Sequence, residues 1–244
     1  MNILFSVSAC AVSAVAVSML LIKLFNALPA QWLCDYDEQP GTELYQKRLF
    51  FQPHGLFISF LLALSFWGMH MRFHGFPFWV SCASCAVLLL IAISDYKYTI
   101  IPDQFSLALF VTALLLAAHS GLSGASAGSA FLSPLLGGLC GAGILLALGL
   151  FGRMLFKKDA MGFGDVKLIG AIGFLTGFPQ IIFVFFLTIF IAFIHILILI
   201  LCKKDPHNLY FPLGPSLCLG VVLFLAFQPQ WEALLHWYTE LLFI

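Results

Sequence analysis

The chain has 244 residues, of which 62% are hydrophobic and only 9% are charged. Soluble domains carry about 25% charged residues, so this composition excludes a soluble protein and predicts an integral membrane protein. Lysine plus arginine and aspartate plus glutamate number 11 each, and no basic stripe with interleaved aromatic residues occurs, which argues against binding to nucleic acid.

The apolar runs predict an all-α membrane domain over residues 1–244, a polytopic bundle of about eight transmembrane helices. A spanning helix needs about 20 apolar residues. In chain order the predicted helices are Ile3–Leu28, Gly55–Met69, Phe78–Ser94, Asp103–Ser120, Ala130–Leu155, Asp165–Thr176, Ile181–Leu201 and Phe211–Phe227. The second and sixth are short, and the sixth is compatible with a full span or with a half-depth helix inside the bundle.

Three further segments have a distinct character. The first run has no lysine or arginine before it and is too long for a signal peptide, so we interpret it as a retained spanning helix. Residues 29–54 are the longest polar stretch and predict a short cytoplasmic loop. In residues 231–244, Glu232, His236 and Glu240 recur at i, i+4 spacing among Trp, Leu and Phe, which is typical of an interfacial amphipathic helix.

The basic residues predict the orientation of the bundle. With the N-terminus outside, ten of the lysines and arginines fall at cytoplasmic helix ends, and only Arg72 falls outside. Cytoplasmic loops carry an excess of lysine and arginine, so this count predicts an outside N-terminus and an even number of crossings. Asp95 and Asp165 are then expected at the cytoplasmic face.

The cysteines do not predict a metal site. Seven are scattered along the chain, and Cys82 and Cys85 form a lone C-x-x-C within an apolar run. A zinc site usually needs two such pairs or added histidines, whereas small residues in an apolar run favour helix packing. We therefore expect neither a metal site nor a disulfide framework, and we interpret His195, inside an apolar run, as a packed helix residue.

Two aspartates are the strongest functional candidates. Asp95 follows an apolar run at the expected C-terminal end of a helix, and Asp165 lies within Gly162-Phe163-Gly164-Asp165, where the next apolar run begins. Carboxylates next to membrane segments are costly and mark functional sites by default. About 70 residues separate the two, which suggests a pair brought together by folding.

Such a pair can share one proton, because two like charges held close cannot both ionise. The ionised member takes a proton from water while the protonated member polarises a peptide carbonyl, which is aspartic protease chemistry. Asp165 is expected in the first turn of a helix, where the dipole favours a carboxylate, and Asp95 at a helix end, where it does not. This argument favours Asp165 as the base and Asp95 as the protonated member.

The residues around the pair have simpler expected roles. Gly162 and Gly164 permit positive φ and the close approach of another segment. Pro102 restarts the structure after Asp95, and Asp103 is a reasonable N-cap for the next helix. Lys167, like Lys97, is expected either to hold substrate and tune the aspartates or to anchor the cytoplasmic side.

These motifs resemble those of the type IV prepilin peptidases, membrane aspartyl proteases of the GxGD class. The likeness rests on D-x5-I-P-D from Asp95 and on G-x-G-D-x-K-L from Gly162. It extends to Asp159-Ala160-Met161 and to Phe211-Pro212-Leu213-Gly214-Pro215, and more faintly to Asn26-Ala27-Leu28-Pro29. It covers residues 78–220, which are then the expected peptidase core.

The resemblance implies a bacterial inner-membrane protease, with Asp95 and Asp165 as its catalytic pair. It implies cleavage of basic leader peptides from prepilins and pseudopilins at the cytoplasmic face, in type IV pilus or type II secretion assembly. Many members carry two C-x-x-C pairs in the first cytoplasmic loop, whereas this loop has only Cys34, so no zinc is expected. Many also N-methylate the product with S-adenosylmethionine. That activity stays open, and we favour peptidase activity alone, without a cofactor.

Two alternatives accompany this interpretation. Intramembrane carboxylates also occur in ion-coupled transporters and proton channels, although a transport relay usually places one near the midplane. The acidic residues of the first loop either attract a basic leader peptide or form a solvated surface that Lys47 and Arg48 partly balance. These residues are Asp35, Asp37, Glu38 and Glu43.

Overall fold

The structure, a computed structural model, describes residues 3–34, 48–123, 126–157, 162–201 and 212–228, together with 230, 231, 233, 237 and 240. In chain order the helices are α1 Ile3–Ala27, α2 Leu56–His70, α3 Phe76–Tyr98, α4 Asp103–Leu122, α5 Ala127–Phe156, α6 Phe163–Thr176, α7 Gln180–Leu201 and α8 Leu213–Ala226. Each of the eight predicted segments is a helix, and no strand occurs in the described ranges.

Helix length separates two groups. Five helices, α1, α3, α4, α5 and α7, are long and apolar enough to cross a membrane, whereas α2 and α8 are shorter apolar helices. The 14 residues of α6 extend over about 21 Å at 1.5 Å per residue, less than a hydrocarbon core of about 30 Å. The predicted all-α, polytopic membrane architecture is confirmed, although among the described residues only five helices, not eight, have the length and composition of a full span.

Contacts between helix ends define the two ends of the bundle. At one end, Phe25 of α1 stacks on Tyr98 of α3 with ring centroids 6.3 Å apart. At the other end, Phe76 at the start of α3 stacks on His119 of α4 at 5.4 Å. The end where α1 and α3 finish is called the dyad end below. Arg48 and Lys97 also meet there, but which side of the membrane this end faces stays a prediction.

The core is one cluster of buried side chains to which most helices contribute, and α3, α6 and α8 supply many of them. Leu88, Ile91, Ile172, Leu217 and Val221 from these helices are each fully buried. In contrast, α7 exposes a row of large apolar side chains, which suits contact with lipid. The central helices therefore carry the site, and the peripheral helices enclose them.

The backbones of α5 and α6 approach each other very closely. A Cβ at Gly137 would collide with the carbonyl oxygen of Gly173, and a Cβ at Gly173 would collide with that of Gly137. Small residues at such crossings let membrane helices pack backbone to backbone. This contact holds α6 in the bundle despite its short length.

A polar latch joins the end of α1 to the chain that precedes α2. Asn26 Oδ1 accepts hydrogen bonds from the backbone N–H groups of Arg48 (3.0 Å) and Leu49 (2.9 Å), and its Nδ2 donates to Leu49 O (2.9 Å). Arg48 is 5% exposed and donates to the carbonyl oxygens of Phe25 and Leu28, at the end of α1. These bonds satisfy backbone groups that α1 leaves unpaired, and they hold Arg48 at the dyad end.

Asn26→Ala is expected to destabilise this latch. It removes three hydrogen bonds and leaves backbone donors of Arg48 and Leu49 without their acceptor. Leaving buried groups unpaired costs about 1–3 kcal/mol each, so the unfolding midpoint in detergent should fall clearly. Gln31→Ala, which truncates an exposed amide nearby, is the control and should leave the midpoint unchanged. Equal midpoints for both variants would contradict the role of the latch.

Several predictions fall outside the described residues. They concern the acidic group of the first loop, the residues Asp159-Ala160-Met161, and most of the amphipathic segment 231–244. His195 lies within α7 and is half-buried, which agrees with its interpretation as a helix residue. Cys82 and Cys85 are both buried in α3, as expected of residues that pack between helices.

Candidate active site

Asp95 lies in the last turn of α3 and is 5% exposed. The helix continues to Tyr98, further than predicted, and ends at Thr99, whose φ of 55° is left-handed. Thr99 N donates to Asp95 O at 2.8 Å, and Ser94 Oγ donates to Ile100 O at 2.8 Å. These bonds make the end of α3 and the turn after it one compact unit that fixes the Asp95 backbone.

Asp165 is the third residue of α6, so the prediction that it lies in the first turn of a helix is confirmed. Its backbone N–H donates to the carbonyl oxygen of Gly162 at 3.2 Å. Gly162 does not use the positive φ that glycine permits, since its φ is −72°. Gly164 lies beside the turn after α3, where a Cβ would be 3.5 Å from the Cβ of Ile101, an ordinary contact that does not require glycine.

Folding brings the two carboxylates within electrostatic reach of each other. Asp165 lies outside the five spanning helices. Burial, and secondarily the nearby charge of Asp95, raises the pKa of the Asp165 carboxyl to about 6. Asp165 Oδ1 is buried and has no hydrogen-bond partner among the described residues. Asp165 is therefore suited to holding a proton at mildly acidic pH.

The start of α8 contacts Asp95 directly. The backbone N–H of Gly214, second residue of α8, donates to Asp95 Oδ2 at 2.9 Å. A Cβ at position 214 would lie 2.5 Å from that oxygen, so only glycine lets the backbone approach this closely. The donor belongs to a helix N-terminus, whose positive dipole end favours a carboxylate. In the sequence Gly214 belongs to the Phe211–Pro215 motif, but nothing there predicted its hydrogen bond to Asp95.

These environments favour the opposite proton assignment from the one expected. Asp95 receives an N–H donor that binds the ionised carboxylate, whereas Asp165 Oδ1 has no donor in the described structure. Asp95 is then the ionised member and Asp165 the protonated one. The first-turn position of Asp165 does not prevent this, because burial and the nearby charge of Asp95 raise its pKa.

The expected N-cap role of Asp103 is wrong. The N-cap of α4 is Pro102, no side chain caps this helix, and Asp103 is its first residue. The Asp103 carboxylate instead pairs with Lys167 of α6, whose Nζ donates to Oδ1 at 2.9 Å and to Oδ2 at 2.8 Å. Pro102 begins α4 as predicted, and its carbonyl oxygen accepts from Phe105 N at 3.0 Å.

Lys97 has a partner in the polar latch. Its Nζ donates to the carbonyl oxygen of Arg48, and it lies 5.5 Å from the ring centroid of Tyr98. This bond links the last turn of α3, two residues beyond Asp95, to the chain preceding α2. Lys97 and Lys167 thus each have a partner within the protein at the dyad end.

The structure suggests no metal centre in the part of the chain that it describes. Within those ranges no three His, Cys, Asp or Glu side chains are grouped to hold a metal ion. Cys218 of α8 is fully buried near both aspartates, but one thiol beside two carboxylates is not among the groups that could hold a metal ion in the described residues. The absence of a metal and of any cofactor stays a prediction.

Comparison with known proteins agrees with the geometry. Residues 82–197 match the model of the type IV leader peptidase family. The prepilin leader peptidase/N-methyltransferase of Vibrio cholerae serotype O1 is 31% identical over 139 residues, which cover 56% of this chain and 51% of that protein. The chain thus matches about half the length of this relative, and no solved structure matches it significantly.

The matched segment contains most of the candidate site. It includes Asp95, Asp103, Asp165 and Lys167, and it ends within α7, before Gly214. By sequence, residues 82–197 of this chain are similar to the type IV leader peptidase family.

Proposed function

We propose that this protein is an aspartic endopeptidase that removes basic leader peptides from type IV prepilins or pseudopilins. One observation supports it above all: the segment similar to leader peptidases holds two carboxylates that interact at one end of the bundle. Lys23, Arg48, Lys97 and Lys167 lie at the same end, which favours its placement at the cytoplasmic face of a bacterial inner membrane.

The proposed mechanism uses a water molecule between the two carboxylates. Ionised Asp95 takes a proton from the water, and the water oxygen attacks the scissile carbonyl carbon. Asp165 gives its proton to the carbonyl oxygen. The resulting gem-diol collapses when Asp95 passes its proton to the leaving amine and a hydroxyl proton returns to Asp165. Each proton is returned, so both carboxyls end in their starting states.

The direct test is cleavage of a prepilin by the purified protein in lipid nanodiscs. Mass spectrometry of the new N-terminus locates the cut and, with S-adenosylmethionine added, reports a methyl group. The proposal expects an unmethylated mature N-terminus, since the first loop carries only Cys34. Intact prepilin after long incubation would refute the peptidase proposal, and a methylated product would refute the part about methylation.

The pH dependence of cleavage is expected to reflect Asp165. The protonated Asp165 is the active form in this mechanism, so kcat/KM should fall as pH rises through the pKa of that carboxyl, about 6. The acidic limb should reflect protonation of Asp95. Measurement of kcat/KM between pH 4 and 9 tests this directly, and a profile flat throughout the range would contradict a carboxyl pair that shares one proton.

The acidic group of the first loop is proposed to attract the basic leader. Neutralising Asp35, Asp37, Glu38 and Glu43 together as amides should raise KM by about tenfold at low ionic strength, with little change in kcat. A leader peptide whose lysines are replaced by glutamine is the control, and its KM should be equal for both enzymes. An unchanged KM for the basic leader would dispose of this role.

A further inference from the structure

The Asp103–Lys167 ion pair connects the two motifs that carry the candidate dyad. Asp103 begins α4, and Lys167 is the fifth residue of α6. Lys167 Nζ contacts both carboxylate oxygens, at 2.9 and 2.8 Å, across 64 residues of sequence. Two donor contacts to one carboxylate restrict the relative position of the two helices more than a single contact does.

Each partner of this pair belongs to the same rigid unit as one candidate catalytic carboxylate. Asp95 and Asp103 are joined by the four-residue connection 99–102, which is held by the bonds from Thr99 N to Asp95 O and from Ser94 Oγ to Ile100 O. Asp165 and Lys167 lie on one helix. The distance between the Asp95 and Asp165 carboxylates therefore depends on how these two units are fixed together.

The geometry of α6 separates the roles of Asp165 and Lys167. Two residues apart on an α-helix differ by about 200° around its axis, so the two side chains lie on nearly opposite sides. Lys167 extends to Asp103 at the exposed side of α6, while Asp165 faces Asp95. Gly164 packs beside Ile101, which places the start of α6 next to the turn after α3. The ion pair can thus set the rotation of α6 that directs Asp165 inward.

The magnitudes favour a positional role over a stabilising one. The side chains of Lys167 and Asp103 are 39% and 41% exposed. Exposed ion pairs contribute little to stability, so losing this one should barely change unfolding. In contrast, a displacement of about 1 Å in a catalytic group can lower a rate by about 100-fold.

We propose that the Asp103–Lys167 ion pair is a positioning contact that holds the start of α6 against the α3–α4 unit and thereby aligns Asp165 with Asp95. This deepens the proposed peptidase function and rests on it. The pair also borders a groove of about 440 Å³ between α4, α5 and α6, whose wall includes Leu107, Phe110 and Leu139. A positioning contact acts on kcat, whereas a substrate contact at this groove would act on KM.

Charge reversal separates these roles. Asp103→Lys and Lys167→Asp, each alone, should lower kcat for prepilin cleavage by about tenfold or more while KM stays within about twofold. The double variant restores the attraction with opposite polarity and should recover kcat to within about threefold of the wild type. Lys23→Asp, the same charge change at an exposed residue of α1, is the control. The unfolding midpoint of every variant is measured in the same nanodiscs.

A second measurement does not require activity. The infrared band of protonated carboxyls is titrated in each protein, and the contribution of Asp165 is assigned by its loss in Asp165→Asn. Greater separation from Asp95 should lower the titration midpoint of Asp165 in each single reversal, and the double variant should restore it. Lys167→Asp is the more informative of the two, because its new negative charge would by itself raise the midpoint, so a fall there reports the movement of Asp95. A wild type that cleaves no prepilin but follows this pattern refutes the proposed function and leaves the positioning contact intact.

Three outcomes overturn the proposal. Single reversals that keep the wild-type kcat and Asp165 titration show that the pair does not position α6. Single reversals that lose activity without recovery in the double variant show that the two residues act separately, and a rise in KM alone assigns them to substrate binding.

Discussion

Replacing either aspartate with asparagine is expected to abolish prepilin cleavage. Asparagine keeps the shape of the side chain, but it can neither accept a proton as Asp95 does nor donate one as Asp165 does. Loss of a general acid or base lowers rates by about 100- to 10,000-fold, so both variants should show no product in a time course that takes the wild type to completion. Mass spectrometry of prepilin co-expressed with each variant measures this loss.

The two asparagine variants need controls for folding and for charge. Glu240→Gln makes the same amide substitution at an exposed carboxylate and should cleave as the wild type does. Asp165→Asn should keep the wild-type unfolding midpoint or exceed it, because it removes a buried carboxyl whose ionisation is unfavourable. Continued processing by either variant would exclude the two-aspartate mechanism. The carboxylates would then be better explained by an ion-coupled transporter or a proton channel.

The helices could be predicted closely because the signals that delimit them are local. The fourth helix was expected to begin at Asp103 and the sixth to end at Thr176, and both do. A proline precedes the first of these boundaries, and Gly177, with a φ of 78°, follows the second. Apolar runs interrupted by proline and glycine are readable without tertiary information, and the family motifs added the expected pairing of Asp95 with Asp165.

The predictions that failed were those in which a local rule competed with a distant partner. Asp103 satisfied the usual preference for an N-cap residue, yet its carboxylate pairs with Lys167, which no local pattern indicates. Gly162 permits a positive φ, but its φ of −72° and ψ of 142° are extended, and α6 begins from that conformation. A local rule thus states which bond or backbone conformation a residue can adopt. Packing against distant residues decides which one it does adopt.

The proton assignment changed for a related reason. From the sequence, the charge state of each carboxylate could be judged only by the dipole of its own helix. That dipole favours ionised Asp165 and disfavours ionised Asp95. In the structure a third helix, α8, directs the N–H of Gly214 at Asp95 across 119 residues, while α6 becomes partly enclosed and Asp165 is desolvated. A donor so distant in sequence cannot be assigned from local helix ends.

Gly214→Ala is therefore expected to lower kcat strongly without removing any catalytic group. The added methyl group would lie 2.5 Å from Asp95 Oδ2 and 3.0 Å from its Cγ, so either the carboxylate or the start of α8 must move. The N–H donor that favours ionised Asp95 is then displaced together with the carboxylate. A shift of about 1 Å at a reacting group can cost about 100-fold in rate, and we expect kcat to fall by that order while KM changes little.

Two other glycines separate this contact from general effects of alanine. Gly143→Ala, where the new methyl meets no atom within 4 Å, should keep full activity. Gly220→Ala lies on α8 itself, where the methyl would be 2.8 Å from Thr188 Oγ1, so it strains the packing of α8 away from Asp95. Activity lost in Gly214→Ala but kept in Gly220→Ala assigns the effect to Asp95. Equal losses would mean that α8 contributes only through its packing, and an active Gly214→Ala would show that Asp95 does not need the donor.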